Sequence, residues 1–252
     1  MPPYSICVGT DISARCEEDV MGCIAVITAR GGSKRIPKKN IRDFCGKPII
    51  AYSIEAAIKS GLFDEVMVST DSEEIKEIAI KYGASVPFMR SESTSNDYAT
   101  TADVIREVIA EYENLGKNFD TICCIYPTAP FVTADKLKAA MSELDEKDGD
   151  SLMPVVPFGF PPQRAVVISQ GHVSYQYPEY AMKRSQDLER LYHDCGQFYI
   201  CRTEVFKRSG SLLAGRTVAM VMREEEVQDI DNESDWAIAV AKYKAFRPGE
   251  HK

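Results

Sequence analysis

Apolar residues follow two alternating patterns along the first 150 positions of the chain. Cys23 to Ala29 (CIAVITA), Glu65 to Thr70 (EVMVST) and Asp120 to Tyr126 (DTICCIY) are nearly unbroken apolar runs of strand length. Between them the period changes. Ile75, Ile78, Ala79 and Tyr82 fall at i, i+3, i+4 and i+7, and Val104, Ile105, Val108, Ile109, Tyr112 and Leu115 form a longer helical stripe. Strands without polar alternation are buried on both faces, so their alternation with helices predicts an α/β fold with a mainly parallel sheet flanked by helices. In such a sheet the ligand crevice lies at the carboxyl ends of the strands.

The pattern changes after Ser151. Short alternating segments rich in Pro and Tyr (LMPVVPFGFPPQRAVVI, then GHVSYQY) predict a smaller β-rich lobe over 151–197 laid across the crevice. A last amphipathic helix carries Trp236, Ala239, Val240 and Tyr243 on one face. Residues 22–246 are expected to form the folded unit. Residues 1–21 precede the first core strand as a dispensable extension, and 247–252 are a tail.

Charge narrows the function. The 252 residues carry a net charge of −8, which argues against nucleic-acid and anionic-membrane partners, since both need a broad basic face. Yet TARGGSKRIPKKNIRDFCGKP, from Thr28 to Pro48, gathers seven of the 30 basic residues and a single Asp. The partner of that stretch is expected to be small. The eight cysteines form no CxxC pair, several sit in apolar runs, and no signal peptide or membrane span is evident, so a reducing cytoplasm is the expected location.

The basic stretch begins where the first strand leaves the sheet and ends where Pro48 opens a helix bearing Ile49, Ile50, Ile54 and Ile58. Strand, glycine loop and helix in that order hold phosphate: Gly31 and Gly32 let backbone N–H groups approach while Arg30, Lys34 and Lys39 neutralise charge. The alternative is a solvated charged turn, which leaves two adjacent glycines unexplained. Neither GxxxxGK[ST] nor GxGxxG is present, so the loop is neither a Walker A loop nor the dinucleotide fingerprint.

ARGGSKRIPKKN closely resembles the phosphate-binding signature of the CMP-sialic acid synthetase family, the cytidylyltransferases that activate nine-carbon and related keto-acid sugars. The resemblance continues through GKPIIAYSIEAA, STDSEEIKEIA with YGA, PTAP at Pro127 to Pro130, and QDIDNESDW. The segments FDEVMVSTD, VPFMRS, YATTADV, CCIYPTAPF, RSQDLE and YHDCGQFY are most similar to members acting on pseudaminic acid. The resemblance implies a nucleotide-diphospho-sugar transferase-like Rossmann-type fold and a Mg2+-dependent reaction of CTP with a sugar acid, giving a CMP-sugar and pyrophosphate. It also implies a homodimer formed through the lobe. By the same analogy Arg30, Ser33, Lys34, Lys39 and Asn40 grip the triphosphate and Arg90 contacts the cytidine end. Asp97 and Thr100 border that pocket, although helix capping explains either as well. HDCGQFY stands where sialic acid enzymes commonly have an NGAIY-like sequence, which turns the expectation away from sialic acid itself.

Asp229 and Asp231 flank Ile230. In an extended segment both carboxylates point the same way and reach one hard cation. Capping of the last helix by Asp231, Glu233 and Asp235 fits the residues equally well, and the family resemblance is what favours metal. For the sugar, Gln163, Arg184, Gln186, His193 and Gln197 lie in the lobe. Arg184 is the expected carboxylate partner because guanidinium binds carboxylate through two parallel bonds. No catalytic base is assigned.

Overall fold

The computed structural model describes residues 22–246, so the expectations for 1–21 and 247–252 lie outside the described residues. Chain order is β1 (Cys23–Thr28), a two-residue hairpin of β2 (Asp43–Phe44) and β3 (Lys47–Pro48), α1 (Ile49–Ser60), β4 (Glu65–Ser69), α2 (Glu73–Lys81), α3 (Glu92–Ser95), α4 (Thr101–Asn114), β5 (Thr121–Ile125) and α5 (Ala134–Glu146). Then come β6 (Ser151–Pro157), β7 (Val166–Ser169), β8 (His172–Tyr175), β9 (Tyr192–Asp194), β10 (Phe198–Arg202), α6 (Thr203–Ser209), β11 (Thr217–Val221) and α7 (Glu233–Phe246).

The main sheet runs β11-β6-β10-β5-β1-β4, with β9 added against β6. β1 lies parallel to both β4 and β5, in a register that pairs Ile27 with Val68 on one side and with Ile125 on the other. Every residue of β5 is buried, as a strand covered on both faces requires. One face carries Ala25, Ile27, Cys123 and Ile125 against α1, α2 and α5; the other carries Ile24, Val26, Ile122 and Cys124 against α4 and α6. The α/β architecture read from the sequence is therefore the architecture observed.

The region after Ser151 divides differently from the expectation. β6 belongs to the main sheet, parallel to β11, and β10 fills the place between β6 and β5 as the antiparallel member. Pro154 sits inside β6, where a missing N–H normally breaks a ladder. It is tolerated because β6 changes partner there: β10 pairs with Ser151 and Leu152, and β9 takes over from Val155. What projects as a lobe is narrower than 151–197, with an exposed β7–β8 hairpin at its tip.

Both directions of strand deliver the chain to one edge. β1, β4, β5, β6 and β11 end there, and β10 begins there, where the Tyr126 N–H donates to the Gln197 carbonyl at 2.9 Å. From β11 the chain crosses this edge through Val227 to Asp231 before entering α7. Buried Ile230 anchors that crossing among Ile36, Phe44, Phe131 and Trp236. Among the described residues no helix is long and apolar enough to cross a membrane.

Candidate active site

Thr28, Arg30, Ser33, Lys34, Lys39, Asn40, Tyr126 and Asp231 line a cleft of about 390 Å³ at the carboxyl edge. The loop after β1 is fixed from below. Asn40, almost fully buried, donates from Nδ2 to the Arg30 carbonyl at 2.9 Å. Lys38 takes a left-handed conformation, φ 52°, at the start of the turn carrying Lys39 and Asn40. The two glycines serve separately. A Cβ on Gly31 would lie 3.1 Å from the Ser72 Cβ, so this position needs glycine for close approach, whereas Gly32 faces open space. The Gly31 N–H donates to Asp71 at 2.7 Å, so that donor is already occupied rather than aimed at a ligand as expected.

Each of the seven basic side chains has a carboxylate beside it. Arg30 and Lys34 share Asp97, the arginine at 2.8 Å. Arg35 reaches Asp231 at 2.7 Å and Lys39 reaches it at 3.9 Å. Lys38 pairs with Glu74, Arg42 with Glu233 and Lys47 with Glu55. Asp97 thus occupies the charge of two loop cations, and both hold its carboxyl below the usual carboxylate range.

The aspartate segment keeps the inward Ile230 that its spacing predicts, but its two carboxylates open on different cavities instead of sharing one. Ile230 turns inward, Asp231 opens on the cleft, and Asp229 opens on a second cavity of about 340 Å³. Lys39 ties the segment to the loop by donating from Nζ to the Ile230 carbonyl at 2.6 Å. Restricted hydration and the charge of Asp231 raise the Asp229 carboxyl above its ordinary range, against the opposing pull of Lys39. Burial pushes the Lys39 ammonium down, and Asp231 and Asp229 oppose it. Helix α7 is capped by other residues. Asp235 Oδ2 accepts from the Asp231 and Asn232 N–H groups, and Asn232 Oδ1 accepts from those of Ser234 and Asp235. Of the residues suited to capping, Asp235 serves, whereas the Asp231 carboxylate faces the cleft and pairs with Arg35.

Asp229 and Asp231 supply the hard oxygen donors that Mg2+ takes, and an ion bound there would displace Arg35 from Asp231. Among the described residues no group of three or more His, Cys, Asp or Glu is arranged to hold a metal. An ion at Asp229 and Asp231 would take its other ligands from phosphate and water.

Other expected residues are placed elsewhere. Arg90 lies buried under the end of β4, donating from Nε to Ser69 Oγ at 3.0 Å and from Nη2 to the Ser69 carbonyl at 2.6 Å. Thr100 is committed to a capping box with Asp103, and Thr101 is the residue that reaches the cleft. Arg184 is exposed and paired with Asp187 at 2.9 Å, so it is no preformed carboxylate clamp. Gln163 donates to the Glu189 carbonyl at 2.8 Å, and Gln186 lies exposed on a short 3-10 turn. His193 does line the second cavity, its ring against Phe158. Gln197, four residues on, is almost fully buried, with Nε2 lacking a partner among the described residues. Of the other residues lining the second cavity, Asp194 and Gln228 fall in the YHDCGQFY and QDIDNESDW segments, whereas Glu224 and Lys242 had no distinguishing sequence signal.

Residues 24–235 match the Cytidylyltransferase family. Over 222 residues the chain is 40% identical to the pseudaminic acid cytidylyltransferase of Campylobacter jejuni, covering 88% of this chain and 96% of the relative. It is 34% identical over 226 residues to the CMP-N,N'-diacetyllegionaminic acid synthase of Legionella pneumophila, covering 86% and 94%. Among solved structures, CMP:2-keto-3-deoxy-manno-octonic acid synthetase complexed with CTP has a TM-score of 0.65 over 89% of this chain and 99% of its own. Its 18% identity makes that a likeness of fold. By the family match and these identities, the chain belongs to the cytidylyltransferase family that its basic loop and its QDIDNESDW segment resemble.

Proposed function

We propose that the protein joins CTP to a nonulosonic acid, pseudaminic acid, giving the CMP-sugar and pyrophosphate, with Mg2+ as cofactor. The observation that carries this reading is the meeting of the basic loop and the Asp229–Asp231 segment across one cleft, tied by Lys39. The 40% identity to pseudaminic acid cytidylyltransferase supports the choice of sugar.

In this reading the triphosphate lies along Arg30, Ser33 and Lys34, with Arg30 and Lys34 surrendering Asp97 to receive it. Nucleotidyl transfer depends on positioning and charge stabilisation more than on covalent help from the protein. The sugar hydroxyl attacks the α-phosphorus, the bond to the β-phosphate oxygen breaks, and the departing charge falls where loop cations already stand. Asp229 and Asp231 hold the Mg2+, which when bound supplies Lewis-acid stabilisation of phosphate oxygens. Lys39 orients the Asp231 carboxylate. The sugar acid takes the second cavity, on the Asp229 side of the segment. A reducing cytoplasm suits a CTP-using enzyme whose described cysteines are all free. A second copy of the chain would cover the exposed apolar side chains of the β7–β8 hairpin, where Ile168 is 73% and Val173 65% exposed.

Asp231→Asn tests the reading directly. Asn232 and Asp235 keep the cap, so the variant is expected to melt with the wild type yet release no pyrophosphate from CTP at any Mg2+ concentration. Full turnover by a folded Asp231→Asn protein would remove Asp231 from the chemistry.

A further inference from the structure

The second cavity is built from chain segments far apart in sequence. β6 contributes Val156 and Pro157, β9 and its turn contribute His193, Asp194 and Cys195, and the crossing segment contributes Gln228 and Asp229. Its charges are Asp194, Asp229 and Glu224 against Lys242. Lys242 is already engaged, donating to the Glu224 and Val227 carbonyls at 3.0 Å each. The wall is therefore acidic. The part of the sugar acid that meets this wall is accordingly one that donates hydrogen bonds, with the carboxylate turned away from it.

Asp194 is the most rigidly held acceptor on that wall. Its Oδ1 accepts the Gly196 N–H at 2.9 Å and its Oδ2 accepts the Tyr199 hydroxyl at 2.6 Å. Tyr199 is itself fixed. It is buried in the sheet on β10, and its ring meets Tyr126 edge-on at 5.5 Å. Tyr126 lines the triphosphate cleft, so the Tyr126–Tyr199–Asp194 series runs through the wall between the two cavities. Burial and the bond to Asp194 hold the Tyr199 phenol far above its ordinary range, so it remains a donor at every working pH. An ionised carboxylate offers about four acceptor positions. Two are filled by protein donors, and the side chain is exposed where it borders the cavity.

We infer that Asp194 is a specificity residue: it accepts a hydrogen bond from an amide N–H of an acylamino group on the sugar acid, with Tyr199 positioning its carboxylate. The inference rests on the proposed function and adds to it the group by which the acceptor substrate is read. A fixed, charged acceptor rewards a donor on the ligand and is left unsatisfied when the ligand lacks it. Absence of a hydrogen-bonding group is rejected far more strongly than a change of apolar size. The sequence offers Gln163, Arg184, Gln186, His193 and Gln197 for sugar contacts. Within that set the geometry favours the Asp194-Cys195-Gly196 turn between His193 and the buried Gln197.

The test is a cycle between enzyme and substrate. At saturating CTP and Mg2+, kcat/KM is measured for wild type, Asp194→Asn and Tyr199→Phe. The acceptors are pseudaminic acid and two analogues in which the 5- or the 7-acylamino group is replaced by hydrogen. Wild type is expected to reject one of the analogues by about 10- to 100-fold. Asp194→Asn is expected to lose most of that discrimination, mainly through a higher KM for pseudaminic acid, with the KM for CTP unchanged. Tyr199→Phe, which frees the carboxylate to move, should lose part of it. Retention of the full discrimination by Asp194→Asn overturns the inference, as does a fall in kcat alone, equal for all three acids. Failure of the wild type to use any of the acids would instead defeat the proposed function, so the two failures are distinguishable.

Discussion

Lys39 and Arg35 both join the basic loop to the aspartate segment, Lys39 through the Ile230 carbonyl and Arg35 through the Asp231 carboxylate, and replacing Lys39 with Met removes its charge while keeping most of the stem. Its Nζ donates to the Ile230 carbonyl at 2.6 Å and faces Asp231 at 3.9 Å, with the side chain only 19% exposed. A hydrogen bond made by a charged group contributes about 1.5 to 3 kcal/mol. Partial desolvation of the ammonium, which lowers its pKa, offsets some of this. A net loss of about 2 kcal/mol is the expected outcome, or roughly 4 to 8 °C in Tm for a domain of this size. The loss has a second part. Asp229 and Asp231 would then face each other with less compensation, since both are coupled electrostatically to Lys39. Millimolar Mg2+ should therefore raise the Tm of Lys39→Met by more than it raises that of the wild type. Thermal melts with and without Mg2+, alongside pyrophosphate release, decide the matter. An unchanged Tm, or an equal Mg2+ response in the two proteins, would refute the tie between loop and aspartates.

Three further outcomes follow from the same geometry. Asp97→Asn frees Arg30 and Lys34 of a competing carboxylate, so the KM for CTP should fall by about two- to fivefold, the range that an exposed pair supports; a raised KM would mean that Asp97 contacts the nucleotide favourably. Asp229 has a raised carboxyl pKa, so the folded state binds the extra proton and stability falls as pH rises from the unfolded-state value through the folded one. Metal-free Asp229→Asn should thus melt above the wild type at pH 7, with the difference vanishing below the ordinary carboxylate range; a difference that grew in acid would reverse the sign argued here. Light scattering should give twice the 28.1 kDa chain mass, and placing Lys at Ile168 and Val173 should return the monomer mass. A wild-type monomer, or a double variant still paired, would count against the hairpin as the dimer surface.

The core of the sheet was legible because β1, β4 and β5 are buried on both faces and so lack polar alternation. Each matches its predicted run to within a residue at either end. β6 was hidden for a physical reason: Pro154 and Pro157 suppress the strand pattern, and only the change of partner from β10 to β9 explains how Pro154 is accommodated. The basic loop stood out by charge density alone. Its partners did not, because Asp97 and Asp231 are 67 and 196 residues from Arg30 and Arg35. Spacing puts Asp229 and Asp231 on a common face where the structure opens them on two cavities, and it is silent on whether Asp231 caps α7. That was decided by the Asn232 and Asp235 side chains, whose bonds depend on backbone angles a sequence pattern does not carry. Thr100 and Arg90 show the same limit in reverse. Both sit in segments resembling nucleotide-contacting ones, yet the hydroxyl of the first closes a capping box and the guanidinium of the second holds the end of β4.

The most direct measurement is pyrophosphate release from CTP and Mg2+ with equal concentrations of pseudaminic, legionaminic, N-acetylneuraminic and 2-keto-3-deoxy-manno-octonic acids. The highest rate is expected with pseudaminic acid, and no release without a sugar acid. A highest rate with N-acetylneuraminic acid would contradict the assigned substrate, and no release with any of the four would contradict the proposed reaction.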